Sequence, residues 1–202
     1  RAARPKTLTG AAVPVMIGIA CAVALHGAEV RWVPAVLCML FALIMQIDAN
    51  FVNDYFDFMK GTDDEQRLGP KRACSQGWIT APAMRSALLL TTAVACVVGL
   101  PLILYGGWEM ILVGLACVMF CFLYTISLSY MGLGDVLVLV FFGLVPVSMT
   151  YWLVAPASPL LSIPLTVIGL SLACGLVIDT LLVVNNYRDI DNDRRTGKRT
   201  LI

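Results

Sequence analysis

Two stretches of the sequence are rich in Asn and Asp, and each closes a long apolar run. They cover residues 50–57 (NFVNDYFD) and 185–199 (NNYRDIDNDRRTGKR). Within each stretch the polar residues recur at three- to four-residue intervals, which places them on one face of a helix. They are Asn50, Asn53 or Asp54, and Asp57 in the first motif, and Asn186, Asp189 and Asp193 in the second. Each motif is therefore expected to present one oxygen-rich face.

Oxygen-rich faces of this kind suit a hard divalent cation. Mg²⁺ takes oxygen ligands, usually one or two carboxylates together with waters and substrate phosphates. Many Lys and Arg residues flank the two motifs, so the pattern predicts a diphosphate held through metal ions. Acids at a helix end are also compatible with simple solvated charge. Two such arrays, each ending an apolar run, favour a functional site because polar clusters in a membrane are costly.

The composition indicates a membrane protein. Of 202 residues, 59% are hydrophobic and 13% charged, and the mean hydropathy is +0.86. Spans need about 20 apolar residues, and six candidates fit, at residues 8–25, 33–51, 84–104, 110–128, 136–154 and 161–184. We expect an all-α, multi-span transmembrane helix bundle. Among the cysteines, Cys117 and Cys121 share a helical face and are expected to be small packing residues.

The distribution of charge predicts the orientation of the bundle. With the N-terminus inside, every Lys and Arg except Arg31 falls on one side of the membrane. The positive-inside rule then places both motifs at the cytoplasmic face of the cell inner membrane. Trp32, Trp108 and Trp152 are expected to form an aromatic belt at the opposite edge. No nucleic-acid-binding patch is visible, and the chain, which starts at Arg1, is expected to be one domain (1–202) truncated on its C-terminal side.

The motifs resemble those of the UbiA superfamily of intramembrane prenyltransferases. The resemblance rests on residues 53–57 with Lys60-Gly61, on 67–72 (RLGPKR), on 185–194 and on 197–201 (GKRTL), and it runs along essentially the whole chain. Within the superfamily, the similarity is greatest to the branch that prenylates 1,4-dihydroxy-2-naphthoate in menaquinone synthesis. The resemblance implies a bundle of about nine helices, of which this chain supplies about six.

The resemblance also implies roles for individual residues. Mg²⁺ and diphosphate would be held by Asn53, Asp54, Asp57, Asp189 and Asp193, of which the four aspartates are the implied catalytic residues. Either Asp63 or Asp64 is implied as the residue that completes the first set. The implied substrate-binding residues are Asn50, Asn53, Arg67, Lys71, Arg72, Tyr124, Asn186, Arg194 and Lys198. Either Tyr124 or Tyr130 is expected on the acceptor side.

The implied reaction transfers a polyprenyl group from an allylic diphosphate to 1,4-dihydroxy-2-naphthoate. CO₂ and diphosphate are lost, and demethylmenaquinone forms. The expected partners are thus polyprenyl diphosphate, the naphthoate and the lipid bilayer, with no nucleic acid. One alternative is a different aromatic acceptor such as 4-hydroxybenzoate, and another is a transporter that uses the acids as an ion path. Both acidic arrays lie on one side, which argues against a conduction path. A third alternative is an inactive remnant.

Overall fold

The computed structural model describes residues 2–61, 69, 71–156, 162–195, 197, 199–200 and 202. Within these residues the regular elements are helical, and one isolated bridge joins Met131 to Arg199. The α-helices are α1 (Leu8–His26), α2 (Trp32–Lys60), α3 (Ala81–Gly99), α4 (Ile103–Gly106), α5 (Glu109–Ile126), α6 (Gly134–Val138), α7 (Val145–Val154), α8 (Leu165–Arg188) and α9 (Ile190–Arg195). A π-helical segment (Leu139–Leu144) joins α6 to α7.

Six helical segments in the described part of the chain are long and apolar enough to cross a membrane, which confirms the predicted helix bundle. They are Pro5–Glu29, Trp32–Lys60, Ala81–Gly106, Glu109–Ile126, Gly134–Val154 and Leu165–Arg188. The last begins after Pro164; its predicted start at residue 161 lies outside the described residues. Pro14 lies inside α1, which continues past it to His26.

The helices that carry the two motifs are longer than the apolar runs suggested. The second span was expected to end at residue 51, but α2 continues to Lys60 and ends at Gly61, a left-handed cap with φ of 68°. Its 29 residues correspond to about 43 Å, more than the roughly 30 Å of bilayer hydrocarbon. The first motif therefore lies on the part of α2 that extends toward the membrane surface.

The bundle is arranged around α2, which packs against α1, α3, α5 and α7. Glycines allow two further close approaches. A Cβ at Gly18 of α1 would lie 2.6 Å from the carbonyl oxygen of Val147, and a Cβ at Gly143 would lie 2.6 Å from that of Ser171 in α8. Small residues at such contacts let helix backbones pack tightly within a membrane.

Trp152 does not join the predicted aromatic belt. Trp32 and Trp108 are 61% and 64% exposed, whereas Trp152 is only 8% exposed. Trp152 belongs to a buried apolar cluster at the end of the bundle away from the motifs. The cluster is formed by Val15, Cys38, Leu102, Met110, Trp152 and Leu153.

Candidate active site

The first motif presents two faces rather than the single one that its spacing predicted. Asn50 and Asp54 are one helical turn apart and point to one side of α2, whereas Asn53 and Asp57 point to another. This division follows from helix geometry, because residues four apart lie nearly above one another, whereas adjacent residues such as Asn53 and Asp54 are separated by about 100° around the axis. The two pairs have different partners, so they are described separately.

Asn50 and Asp54 bind segments of the chain that flank the helices. Both carboxylate oxygens of Asp54 accept hydrogen bonds, from the backbone N–H of Ala73 at 2.9 Å and of Cys74 at 3.0 Å. Asn50 donates to the carbonyl oxygen of Ala3 at 3.0 Å and to Thr7 Oγ1 at 2.9 Å. These bonds fix the loop after α2 and the segment before α1 to the side of α2.

Asn53 and Asp57 face α5 and the loop after α2. Asn53 Oδ1 accepts a hydrogen bond from the Thr125 hydroxyl, and Asp57 forms an ion pair with Arg72 at 2.7 Å. Arg72 is 8% exposed and Asp57 is 17% exposed, so this pair is shielded from water. The prediction that both residues belong to the site is consistent with these positions.

Lys60, one turn beyond Asp57, joins the end of α2 to the end of α5. Its Nζ donates to the carbonyl oxygens of Thr125 at 2.9 Å and Ile126 at 2.7 Å. It also lies 4.1 Å from the centre of the Tyr130 ring. A cation at a helix C-terminus satisfies carbonyls that have no partner within the helix and offsets the negative end of the helix dipole.

The helix that carries the second motif is interrupted within the motif. α8 ends at Arg188, Asp189 is its C-terminal cap, and α9 begins at Ile190. The two oxygens of Asp189 accept hydrogen bonds from the Arg188 guanidinium at 2.8 and 2.7 Å. Beyond the interruption, Asp193 is buried, at 7% exposed. Asn186 is also buried, and its neighbour Asn185 lines the central cavity instead.

The two motifs meet at Tyr124, near the end of α5. Four carboxylates act electrostatically on its side chain. They are Asp135, Asp57, Asp179 and Asp193. Asp57 belongs to the first motif and Asp193 to the second, so acids that are far apart in sequence lie within electrostatic range of one side chain.

Two of these acids lay outside the predicted site. Asp135 is the second residue of α6 and Asp179 lies within α8. Both act electrostatically on Tyr124, and Asp135 also acts on Asp179. Each has one buried carboxylate oxygen, Oδ1, without a hydrogen-bond partner among the described residues. An acid inside an apolar run was the available sequence signal for Asp179, but Asp135 follows a glycine turn and carried no such signal.

A largely apolar cavity of about 660 Å³ extends from this group of polar residues into the bundle. Its polar end is lined by Asn53, Tyr124 and Asn185. Its far end is lined by Leu102, Met110 and Leu153, which belong to the buried cluster described above. Cys117 and Cys121, expected to be packing residues, also lie on its wall. The cavity thus joins a charged end to an apolar interior.

The basic residues of the predicted site are distributed around the charged end. Arg72 is buried against Asp57, whereas Lys71 and Arg194 are exposed. Arg67 and Lys198 lie outside the described residues, as do Asp63 and Asp64.

The donor atoms present are suited to Mg²⁺, although they are not gathered into a finished metal site. Carboxylate and amide oxygens are the hard ligands that this ion prefers. Within the described ranges, no three His, Cys, Asp or Glu side chains are arranged to hold a metal ion together. Mg²⁺ commonly binds through one or two carboxylates plus substrate phosphates. Asp57 and Asp193, which act on the same tyrosine from two helices, fit that mode of binding.

Sequence comparison identifies the family to which this arrangement belongs. The profile of the UbiA prenyltransferase family matches residues 11–202. The chain belongs to the UbiA prenyltransferase family. In this UbiA member, the match begins inside α1 and includes both acidic motifs, the cavity wall and all of the helices that follow.

Named relatives of this UbiA chain include bacterial and animal proteins. It is 35% identical over 209 residues to the 1,4-dihydroxy-2-naphthoate octaprenyltransferase of Escherichia coli, covering 98% of this chain and 65% of that protein. It is 37% identical over 202 residues to the protein of the same name from Mycobacterium leprae, covering 98% and 66%. A Drosophila melanogaster UbiA prenyltransferase domain-containing protein 1 homolog is 31% identical over 214 residues, covering 99% and 55%. The chain thus spans somewhat less than two thirds of the length of these relatives.

Proposed function

We propose that this protein transfers a polyprenyl group from its diphosphate to 1,4-dihydroxy-2-naphthoate, releasing diphosphate and CO₂ and giving the quinol form of demethylmenaquinone. One observation carries the proposal: Asn53 of the first motif and Asn185 of the second lie with Tyr124 at the polar end of one largely apolar cavity. A prenyl diphosphate fits such a cavity, because its charged head suits the polar end and its long hydrocarbon tail suits the apolar interior. The naphthoate as acceptor is supported by the names of the bacterial relatives.

The diphosphate head would lie at the polar end, between the two motifs. Arg72 is already held there, and Arg194 and Lys71 are exposed nearby. Arg suits bidentate contacts with phosphate oxygens and Lys a single point charge. In this proposal, Mg²⁺ would be held by Asp57, Asp189 and Asp193, with Asn53 as a further ligand. Bound there, Mg²⁺ would supply positive charge that stabilises the departing diphosphate.

Asp54 and Asn50 would act indirectly in this scheme. Both oxygens of Asp54 are occupied by the backbone N–H groups of Ala73 and Cys74, which directly follow Arg72 in sequence. By holding this part of the loop, Asp54 positions Arg72 beside Asp57. Asn50 likewise holds the segment before α1.

The tail would occupy the cavity and the acceptor would approach at Tyr124. Breaking the bond between the terminal prenyl carbon and the diphosphate oxygen leaves an allylic cation. The ring carbon that bears the carboxylate attacks it, and the electrons of the bond to the carboxylate restore the aromatic ring as CO₂ leaves. Apolar walls such as Phe120 and Phe141, whose rings are 5.0 Å apart, would keep water from the cation.

The proposed setting is the cell inner membrane with the motifs at the cytoplasmic face. The basic residues flanking both motifs support this orientation. It would give the diphosphate and the naphthoate, both charged, access from the cytoplasm, while the tail stays within the bilayer.

The test is a transfer assay with membranes that contain the protein, a polyprenyl diphosphate and Mg²⁺, with the two candidate acceptors in separate reactions. Prenylated naphthoquinol with CO₂ release, abolished by EDTA and restored by Mg²⁺, is the expected result. Asp57→Asn and Asp193→Asn are each expected to lower kcat at least hundredfold, about the loss seen when one charge-stabilising group is removed. Asp191→Asn is the matched control, since Asp191 is exposed on α9.

The other outcomes separate the alternatives. Prenylation of 4-hydroxybenzoate alone would contradict the proposed acceptor while keeping the reaction type. No transfer to either acceptor, together with cation flux through reconstituted vesicles, would favour the transporter.

A further inference from the structure

One face of α5 forms a continuous wall of the cavity. Met110, Gly114, Cys117, Cys121 and Tyr124 all line it, and their spacing of three or four residues places them on one side of the helix. Tyr124 marks the polar end and Met110 the far end. The 14 residues between them correspond to about 21 Å along the helix.

Gly114 is the one residue of these five that has no side chain to cover the wall. Among the described residues, no heavy atom lies within 4 Å of the point where a Cβ at Gly114 would be. The glycines at close helix contacts are different, because a Cβ at Gly143 or Gly18 would lie 2.6 Å from a backbone oxygen of another helix. Helix packing therefore requires glycine at those two positions but not at Gly114.

The absence of a side chain at Gly114 thus leaves open space within the cavity. Glycine is unfavourable inside a helix, and no protein contact at Gly114 offsets this. Gly114 lies 10 residues from Tyr124, which is about 15 Å along α5. Beyond it the cavity continues to Leu102, Met110 and Leu153, which line its far end.

We propose that Gly114 determines the length of prenyl chain that the cavity accepts. The inference rests on the proposed function, since it assumes that the tail lies along α5. A side chain at residue 114 would divide the cavity about two thirds of the way from Tyr124 to its far end. Short prenyl chains would remain on the polar side of the division, whereas long ones would lose the space beyond it.

The experiment compares donors of two lengths, with two and with eight isoprene units, in the unmodified protein and in Gly114→Leu. Gly114→Leu is expected to keep kcat/KM for the short donor within about twofold of the unmodified protein and to lose at least tenfold with the long donor. Gly114→Ala is expected to show the same selectivity to a smaller degree. If the leucine side chain prevents folding, the donor selectivity of Gly114→Ala tests the proposal instead. Gly169→Leu is the matched control, because Gly169 has the same free space but is exposed and lies off the cavity wall.

Equal losses with both donors in Gly114→Leu of unchanged Tm, or no loss with either, would overturn the proposal. Binding of the same two diphosphates to the purified protein, in the absence of any acceptor, separates this inference from the proposed function. If Gly114→Leu binds the long donor at least tenfold more weakly and the short donor normally, the inference stands even when transfer to the naphthoate is not observed. If no length selectivity appears in binding, the inference is wrong whatever the acceptor.

Discussion

Asp54 and Asp57 are three residues apart on α2 but bind different partners. Asp54 accepts two backbone hydrogen bonds from the loop after α2, whereas Asp57 pairs with a buried arginine and acts on Tyr124. The metal-binding role implied for both stays a prediction. Their environments nevertheless predict different consequences of mutation, because Asp54 satisfies buried backbone groups.

Asp54→Ala is expected to destabilise the protein. It leaves the N–H groups of Ala73 and Cys74 buried without an acceptor, at a combined cost of about 2–4 kcal/mol. Thermal unfolding of the purified protein in detergent measures this loss, with Asp191→Ala as the exposed control. An unchanged Tm combined with lost Mg²⁺-dependent activity would instead indicate that Asp54 binds the metal directly.

Tyr124→Phe is expected to affect the acceptor more than the donor. The substitution keeps the ring on the cavity wall and removes only the hydroxyl, on which four carboxylates act. KM for the naphthoate should rise about tenfold, the equivalent of one hydrogen bond of about 1.4 kcal/mol, and KM for the prenyl diphosphate should not change. Steady-state kinetics with each substrate varied in turn would test this. A similar effect in Tyr130→Phe would move the acceptor role to that residue.

The positions of the two polar motifs were predictable from the sequence, but the partners of their residues were not. The Asn and Asp spacing located both motifs, and Asp57 and Asp193 both lie within electrostatic range of Tyr124; that these residues form the site stays a prediction. Asp54 could not be assigned to the loop, because its hydrogen bonds depend on how residues 71–74 fold back onto α2. For the same reason Asn185 was overlooked in favour of Asn186: the choice depends on the rotation of α8, which packing sets.

The helices were predictable as elements, with errors at their ends. Apolar runs located all six spans, since about 20 apolar residues are needed to cross a bilayer. The same reasoning ended α2 nine residues early, because polar residues that remain helical beyond the hydrocarbon do not count as apolar. The helix interruption at Asp189 and the π-helical segment were not predicted, because no local sequence pattern indicates them.

The contact between the π-helical segment and α8 is expected to be sensitive to side-chain size. In Gly143→Leu, the new side chain would meet the Ser171 carbonyl oxygen at 2.6 Å and the Gly175 Cα at 2.7 Å. These are backbone atoms, so α8 must shift, at a cost of about 1–3 kcal/mol. Tm measurements with Gly169→Leu as control test this. Equal Tm values in the two variants would show that α8 shifts without a loss of stability.

For the molecule as a whole, the charge distribution predicts that both motifs lie in the cytoplasm. Gln76→Cys, in the loop after α2, should react with a membrane-impermeant maleimide only after cells are permeabilised. Trp108→Cys, at the opposite end, should react in intact cells. Gln76 and Trp108 are both exposed, and labelling of the parent protein gives the background from its own cysteines. The reverse pattern of labelling would invert the proposed orientation.

The π-helical segment also sets the rotational phase of the span that contains it. Successive residues of an α-helix are about 100° apart around the axis, and a π-helical turn accommodates one residue more than an α-helical turn. Deleting a single residue from Leu139–Leu144 would restore a regular helix and leave the residues after it in their present orientation, whereas straightening the segment at unchanged length would turn them by about that angle. In the second case Thr150 and Leu153, which now line the cavity, would rotate away from it. The π-helical geometry of this short segment therefore sets which side chains of α7 face the interior, so a substitution that straightens it is a change of inner surface rather than of helix length.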